Sequence, residues 1–311
     1  MLVYILAFFL VSTSVFSSNK KILSDCKELK TYFPELNKAM QGQLCNTFDS
    51  LFISYDKNKI EILSDALHLK DNILGVRLAK DKVIKHHYYK KNFKSVYKTH
   101  YTLDKFGKRE TPHQSKLNSQ RNSFAILFGG SFTFGSGVKD NETIAAYINN
   151  LQQEYQAYNF GIAGTAIHHS IDIINKTNIS EQISQKKGVG IYVFIDAHID
   201  RVAGRGFWST FQTGLPYYYL DGEEVIREKS FTKGNYLFNF IQSLLYRMFK
   251  SNFSIFTIKK DIKLMCKLVL KAKNDFQKIF NDSKFYFLFH NFNSIENKTF
   301  IQKKLKICLV K

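Results

Sequence analysis

Apolar residues in the middle of the chain fall into two patterns, short continuous runs and longer segments with helical spacing. FAILF, at residues 124–128, and GIYVFI, at 190–195, are runs of strand length, which is typical of strands buried on both faces of a parallel sheet. A shorter run, AYNF at 157–160, predicts a further strand. The segments 143–155 and 168–185 predict helices between the strands. This alternation predicts a doubly wound α/β fold.

The chain after residue 200 first departs from this alternation and then returns to it. An aromatic insert over about 201–252 contains YYYLDGEEVIRE, where Asp221 and Gly222 predict a hairpin that can serve as a lid or substrate wall. The runs FYFLF and KICLV predict a fourth and a fifth strand. Three further helices are predicted over residues 235–250, 255–280 and 298–304.

The amino-terminal region predicts export. It begins with MLVYILAFFLVSTSVFSS, an apolar stretch followed by small polar residues, which predicts a signal peptide over residues 1–17. An uncleaved anchor is the alternative, because no Lys or Arg precedes the stretch, although it is short for a membrane span. Residues 18–115 show no sustained period and are interpreted as a lead-in module before a main domain at 120–311. We therefore expect an exported protein, periplasmic or secreted.

The chain contains four cysteines. Because an exported protein meets an oxidising compartment, we expect Cys26 and Cys45, which are close in sequence, to form a disulfide. Cys266 falls in an apolar-periodic helix and Cys308 in the last predicted strand, so we expect both to be buried free thiols. No spacing of cysteine and histidine predicts a metal site.

The formal net charge of +19 at pH 7 is compatible with a polyanionic partner, such as nucleic acid, an anionic glycan or lipid head groups. However, the lysines are spread along the whole chain with many Asn, Ile and Phe, a composition typical of an AT-rich genome. The densest run, from Lys80 to Lys98, interleaves lysines with aromatic residues and is the candidate binding surface. We expect no nucleic-acid partner, and association with a membrane surface through basic charge stays open.

The sharpest local signal is GGSFTFGSGV, from Gly129 to Val138, between a predicted buried strand and a predicted helix. A serine on such a turn lies at the carboxyl edge of the sheet, where backbone N–H groups can stabilise an oxyanion. A glycine-rich turn can also bind phosphate, but this one lacks the lysine of a P-loop and the spacing of a dinucleotide site. The pattern therefore favours nucleophilic chemistry at Ser131.

Three segments resemble the conserved blocks of SGNH/GDSL hydrolases. GGSFTFGSGV is similar to the Gly-Asp-Ser block, with Gly in place of Asp, and YNFGIAGTA is similar to the second block. YVFIDAHIDR takes the place of the third block, and YTLDKFGKRETP resembles a lead-in of exported bacterial members. The resemblance implies a flavodoxin-like three-layer sandwich with a central parallel sheet. It also implies Ser131 as the nucleophile and an oxyanion hole formed by Ser131, Gly164 and His198.

The same resemblance exposes a departure from the family. In SGNH hydrolases a final Asp-x-x-His block follows the last strand, and its histidine deprotonates the serine. No such block follows the last predicted strand, so the resemblance predicts a C-terminally truncated or impaired enzyme. Histidines near predicted strand ends are alternative bases, with His290 as the substitute base at the end of the fourth strand. The histidines concerned are His168, His169, His198 and His290.

The third block allows two other interpretations. Asp196, His198 and Asp200 can ligate a metal if their loop brings them together. Arg201 can bind a substrate carboxylate or phosphate, and it can equally form a structural ion pair.

From these patterns we expect a serine ester hydrolase or O-acyl transferase acting on an ester-bearing small molecule, a cell-envelope glycan or a lipid. Neither a cofactor nor a metal is implied. The competing hypothesis is a non-catalytic SGNH-like binding or scaffold protein. A third is a degraded gene product that does not fold stably, because loss of a terminal strand and helix uncovers the sheet edge.

Overall fold

Five antiparallel strands precede the parallel sheet in the computed structural model, which describes residues 59–90, 95–112, 121–204, 214–228, 230–231 and 253–289. The strands are β1 (Lys59–Leu63), β2 (His68–Asp71), β3 (Gly75–Leu78), β4 (Lys82–Lys90) and β5 (Ser95–Leu103). One sheet has the order β1-β4-β5, and β2 pairs with β3. The sequence pattern predicted no sustained element here. Along β5 the buried positions Thr99, Tyr101 and Leu103 alternate with more exposed ones, so no continuous apolar run marks the strand.

A four-stranded, all-parallel sheet forms the centre of the described structure. The remaining strands are β6 (Ser123–Gly129), β7 (Tyr155–Asn159), β8 (Lys187–Phe194), β9 (Tyr217–Asp221), β10 (Glu224–Glu228) and β11 (Lys284–Phe289). The parallel sheet has the order β11-β8-β6-β7. Every residue of β6 is buried, as the FAILF run predicted. Along the chain this is the order fourth, third, first, second, which is compatible with a flavodoxin-like fold.

Helices cover both faces of the parallel sheet. They are α1 (Ser131–Phe134), α2 (Ile144–Leu151), α3 (Ile167–Lys176), α4 (Ala197–Ala203) and α5 (Phe253–Ile279). On one face Ala145 of α2 packs with Ala125, Leu127 and Ala157 of the sheet. On the other face α3, α4 and α5 share the larger core with the sheet. The architecture is therefore a mixed α/β arrangement with helices on either side of the sheet, as predicted.

A cluster of phenylalanines lies at the contact of α5 with the sheet. The rings of Phe276 and Phe280 lie 4.9 Å apart, and Phe280 lies 4.7 Å from Phe124 of β6. Phe276 also contacts Phe285 of β11 at 5.4 Å. Burying one such side chain contributes roughly 1.5–3 kcal/mol, so this cluster holds α5 against the sheet.

The predicted helix boundaries shift where local chemistry ends the helix early. The helix predicted over 143–155 begins at Ile144, because the hydroxyl oxygen of Thr143 accepts a hydrogen bond from Ala146 N (3.2 Å) and caps it. It ends at Leu151, and Tyr155 already belongs to β7. The helix predicted over 168–185 ends at Lys176, because Asn178 is in a left-handed conformation.

The aromatic insert contains the predicted hairpin. Asp221 of β9 pairs with Glu224 of β10 across a turn of two residues, and Gly222 there has a φ of +56°. The helix predicted over 255–280 is confirmed as α5. The elements predicted over 235–250, 298–304 and the KICLV run lie outside the described residues.

The described residues belong to one compact unit, Asn58–Lys311, which crosses the predicted module boundary at 115–120. Cys266 corrects the free-thiol prediction, because it is disulfide-bonded, with a partner outside the described residues. Cys26, Cys45 and Cys308 lie outside the described residues, so the disulfide between Cys26 and Cys45 stays a prediction. None of the described helices has the apolar length that a bilayer crossing needs.

Candidate active site

Ser131 lies at the carboxyl end of the fully buried strand β6, on a turn built from glycines. It is the first residue of the single-turn helix α1 and is partly exposed. Gly129 has a φ of +147°, and a Cβ there would lie 2.2 Å from Thr133 Oγ1, so the position accepts only glycine. The helix ends at Gly135, whose φ is +80°. The sequence therefore turns sharply at both ends of the serine segment.

Gly130, directly before the serine, is in contact with two side chains of α4. A Cβ on Gly130 would lie 2.6 Å from Arg201 Nη1 and 2.9 Å from His198 Nε2. It would also lie 3.1 Å from the carbonyl oxygen of Thr165. Because Gly130 has no side chain, Arg201, His198 and the carbonyl group of Thr165 can all pack against the backbone that leads into Ser131.

A buried arginine from upstream of the parallel sheet holds the serine segment. Arg109 donates hydrogen bonds to the carbonyl oxygens of Phe134 (2.8 Å) and Val138 (2.7 Å), and also to that of Gly135. Its Nε lies 3.0 Å from Asp140 Oδ1 in an ion pair. Burial lowers the pKa of Arg109, and the Asp140 carboxylate opposes that shift. Sequence reasoning missed this residue, because its contacts join segments about thirty positions apart.

The second block is attached to the serine segment through its asparagine. Asn159 Nδ2 donates to the carbonyl oxygen of Thr133 (2.8 Å), and Asn159 Oδ1 accepts from Gly161 N (3.0 Å). The loop then turns at Gly164, where φ is +86° and a Cβ would meet no atom within 4 Å. The backbone of Gly164 therefore borders open space, one residue before the Thr165 carbonyl that packs against Gly130.

His198 is 1% exposed and lies in the first turn of α4. Its Nδ1 is joined by a 2.7 Å hydrogen bond to the hydroxyl of Tyr192 on β8. Its Nε2 is buried and has no hydrogen-bond partner among the described residues. Burial first, then the charge of Arg201 and the nearby His168, hold the pKa of His198 well below its usual range. A neutral imidazole with one unsatisfied nitrogen therefore faces the serine turn.

Arg201, one turn further along α4, is 3% exposed. Its Nη1 donates to the carbonyl oxygen of Thr165 (2.8 Å). Burial lowers the pKa of Arg201 to about 10, so it carries a positive charge at neutral pH. This charge lies at the carboxyl edge of the sheet, where an anionic intermediate at Ser131 would form.

The other predicted bases are placed differently. His169 Nε2 is bonded to the carbonyl oxygen of Val76 (2.8 Å), which commits that ring to the contact between α3 and β3. His168 is buried with its ring 6.2 Å from that of Phe231, and His290 lies outside the described residues. In the part of the chain that the structure describes, no hydrogen bond joins the Ser131 hydroxyl to another group. The base therefore is not identified by these contacts.

The metal interpretation of the third block has no support from the described residues, among which no group of three or more His, Cys, Asp or Glu can hold a metal ion. His198 directs Nδ1 to Tyr192 instead. Asp196 has one buried carboxylate oxygen without a partner, and burial raises the pKa of this carboxyl group.

The basic and aromatic run from Lys80 to Lys98 forms most of β4 and β5. Its aromatic side chains largely pack with one another: Tyr88 stacks on Tyr97 at 5.1 Å, and His86 Nδ1 is 2.5 Å from Tyr101 Oη. Tyr101 Oη also accepts a hydrogen bond from Gly137 N (2.9 Å) in the serine segment. Packing within β4 and β5 thus accounts for His86, Tyr88 and Tyr97 of this run.

Tyr192 is the second residue that sequence reasoning missed. It lies within the apolar GIYVFI run, where a tyrosine is indistinguishable from a core aromatic residue until its hydroxyl partner is known. The site is interpreted from its own geometry, since no family model and no curated protein matches this chain.

Proposed function

We propose that this protein is a serine ester hydrolase or O-acyl transferase of the SGNH/GDSL type, acting on O-acyl groups of cell-envelope glycans or lipids. One observation carries the proposal: the buried Nε2 of His198, which has no partner among the described residues, faces the glycine turn that leads into the nucleophile position, Ser131. Because a buried polar atom normally forms a hydrogen bond, this nitrogen can bind an oxygen atom of a substrate at the turn.

The chemistry follows from the arrangement. Ser131 Oγ attacks the acyl carbonyl carbon, and the carbonyl oxygen becomes an oxyanion. The backbone N–H groups of Ser131 and Gly164 and the imidazole of His198 stabilise that oxyanion, and the charge of Arg201 adds to the field. When the intermediate collapses, the bond to the alcohol breaks and leaves an acyl-serine. Water or an acceptor hydroxyl then takes the acyl group.

The proton of Ser131 needs a base, and none of the described residues is bonded to its hydroxyl. His290, directly after β11, stays the predicted substitute. Without a base we expect slow acylation, because removing a triad member typically costs several orders of magnitude in rate while the oxyanion hole alone retains some catalysis.

The strand order supports the SGNH assignment within the α/β class. Ser131 follows the first parallel strand, Gly164 the second and His198 the third, so the three proposed oxyanion groups come from the carboxyl ends of neighbouring strands. In such sheets ligands bind at these ends.

A non-catalytic, SGNH-like binding or scaffold protein is the alternative. It is favoured by the Ser131 hydroxyl, which has no hydrogen bond to any described side chain. Such a protein would bind an ester or a glycan at the same turn without forming an acyl-serine.

The two functions are separated by incubating the protein with p-nitrophenyl acetate and locating acyl groups by mass spectrometry. We expect slow acylation at Ser131, far below the roughly ten turnovers per second of an ordinary enzyme. Ser131→Ala should abolish the signal, whereas Ser136→Ala, an exposed serine of the same segment, should retain it. Absence of acyl-Ser131 in the wild-type protein would favour the binding function.

A further inference from the structure

We propose that Tyr192 is a positioning residue that fixes His198 in the neutral tautomer carrying its proton on Nε2. In that tautomer the ring can donate a hydrogen bond to an oxyanion at Ser131 and cannot accept the serine proton through Nε2. The inference rests on the proposed function for its catalytic meaning, but the tautomer itself is a property of the resting protein.

The contact between the two rings is short and fully enclosed. Tyr192 Oη and His198 Nδ1 are 2.7 Å apart, and the two residues are 0% and 1% exposed. In such a setting neither group can exchange this bond for water. Leaving a buried donor or acceptor unsatisfied costs roughly 1–3 kcal/mol, so the protons will arrange themselves to keep the bond.

The direction of the bond follows from the donors and acceptors of the two side chains. The Tyr192 hydroxyl has one O–H donor, and His198 Nδ1 is the hydrogen-bond partner that this hydroxyl has among the described residues. A hydroxyl buried this deeply keeps its proton in a hydrogen bond, so the Tyr192 O–H donates to His198 Nδ1.

The opposite tautomer would leave the buried O–H of Tyr192 without an acceptor. If Nδ1 carried the proton, the Tyr192 oxygen would accept from the imidazole, its O–H would need a further buried acceptor, and His198 Nε2 would be a buried acceptor without a donor in the described part of the chain. No other hydrogen bond of Tyr192 occurs among the described residues. Because a neutral imidazole has one protonated nitrogen, Nδ1 as acceptor places the proton on Nε2.

The surroundings also suppress the doubly protonated ring. Arg201 lies on the same helix, His168 approaches from α3, and Tyr192 and the ring of Phe194 face His198 from β8. The cation and the burial both disfavour a second proton. His198 is therefore a donor in this site, which removes it from the candidate bases and leaves its Nε2–H directed toward the turn at Gly130.

The test is ¹⁵N NMR of histidine-labelled, full-length protein, with His198 assigned by its loss in His198→Asn. We expect Nε2 to resonate as a protonated, pyrrole-type nitrogen and Nδ1 as a bare, pyridine-type nitrogen at pH 7. Tyr192→Phe should convert this pattern to a mixture of tautomers. Tyr158→Phe is the matched control, because it removes a partly buried hydroxyl that is bonded to Gln185 (3.0 Å) and leaves His198 untouched.

A kinetic cycle tests whether the tautomer matters for acylation of Ser131. We expect Tyr192→Phe to slow acylation about tenfold, less than the loss of a whole oxyanion donor, and Tyr158→Phe to leave it within about twofold. In a His198→Asn background, Tyr192→Phe should have no further effect, because an amide donor has no tautomer to fix. A purely structural role for Tyr192 would slow both backgrounds equally.

The outcomes for the tautomer and for the enzyme are separate. A proton on Nδ1 in the wild-type protein, or an unchanged Nε2–H pattern in Tyr192→Phe, overturns the inference whatever the activity. The expected NMR pattern together with no acyl-Ser131 in any variant supports the tautomer assignment and removes only the proposed ester chemistry.

Discussion

At the scale of single residues, the site depends on the absence of a side chain at Gly130. A Cβ at Gly130 would overlap Arg201 Nη1 and His198 Nε2, so glycine is required there because no space is left for a side chain. Gly222 in the hairpin turn presents the opposite case, with a φ of +56° and no atom within 4 Å of a Cβ. Two glycines in one chain are thus required for different reasons, and this difference can be measured.

Gly130→Ala should disrupt the site more than the fold. The new methyl group would meet Arg201 Nη1 at 2.6 Å and His198 Nε2 at 2.9 Å, so both side chains must move. We expect acylation of Ser131 to fall at least about tenfold, in line with a misplaced oxyanion donor. Gly222→Ala should cost roughly 1 kcal/mol of unfolding free energy in urea and leave acylation unchanged. Equal acylation in Gly130→Ala and wild type would contradict the close packing at this turn.

At the scale of elements, a buried carboxylate fixes the aromatic hairpin to the helical layer. Asp172 of α3 accepts a hydrogen bond from the Tyr218 hydroxyl (2.7 Å) on β9 and is paired with Arg227 Nε (2.9 Å) on β10. Lys176 lies 3.5 Å away on the same helix. The hairpin that sequence analysis placed as a lid or substrate wall is therefore attached to α3 through Asp172, and Glu223 in its turn pairs with Lys263 and Lys267 of α5.

Asp172→Asn should loosen the hairpin selectively. The amide keeps the size of the side chain but leaves Arg227 without its carboxylate, and hydrogen bonds to charged groups contribute roughly 1.5–3 kcal/mol. We expect faster amide exchange in peptides covering residues 217–228, measured by mass spectrometry, with β6 unchanged. Asp275→Asn, which removes the ion pair between Asp275 and Lys271 (2.9 Å) within α5, is the control and should leave the hairpin protected. Protection of the hairpin in Asp172→Asn would refute its role as an anchor.

Elements with a strong local signal were predictable, and those defined by distant partners were not. The run FAILF marks β6 because burial on both faces leaves no polar position, and Asp221-Gly222 marks the hairpin because few residues accept that turn. Strands β4 and β5 were not predicted, because lysine, histidine and tyrosine occur at both the inward-facing and the outward-facing positions of these strands. In the site, the turn around Ser131 was predictable from its glycines. Tyr192 and Arg109 were not, because their roles depend on bonds to other elements.

At the scale of the whole molecule, two buried histidines couple stability to pH. Burial lowers the pKa of both His169 and His198 in the folded state, while the unfolded chain keeps the ordinary value of 6.5. Well above pH 6.5 both histidines are neutral in the folded and in the unfolded state, so their contribution to the free energy of unfolding is at its maximum. Below it the unfolded state binds more protons, so the free energy of unfolding falls as pH falls. Asp196 opposes this at lower pH, because burial raises its carboxyl pKa above 3.8 and its proton favours the folded state.

We expect the urea midpoint to be constant between pH 8 and 7 and to decrease from pH 6.5 to 5. Each histidine can contribute a slope of up to about 1.4 kcal/mol per pH unit. His169→Gln, which lies outside the proposed catalytic groups and can still donate to Val76, should flatten the decrease. Gly222→Ala, at an exposed position of the hairpin turn, leaves both histidines in place, so it is the control and should keep the decrease. Identical midpoints for wild type at pH 5 and pH 8 would rule out this coupling.

The hydrogen bonds of Arg109 determine the shortest segment of this chain that could be transferred to another protein, by recombination or by design, with the Ser131 turn intact. Its guanidinium holds the carbonyl oxygens behind Ser131, and its backbone bridges Leu103 of β5 to Asn159 of β7. Tyr101 adds a bond to Gly137 from the same side. A recombination event with its crossover near residue 120 would carry the serine into a new host and leave behind the groups that shape its turn. An inheritable module must therefore start upstream of β5.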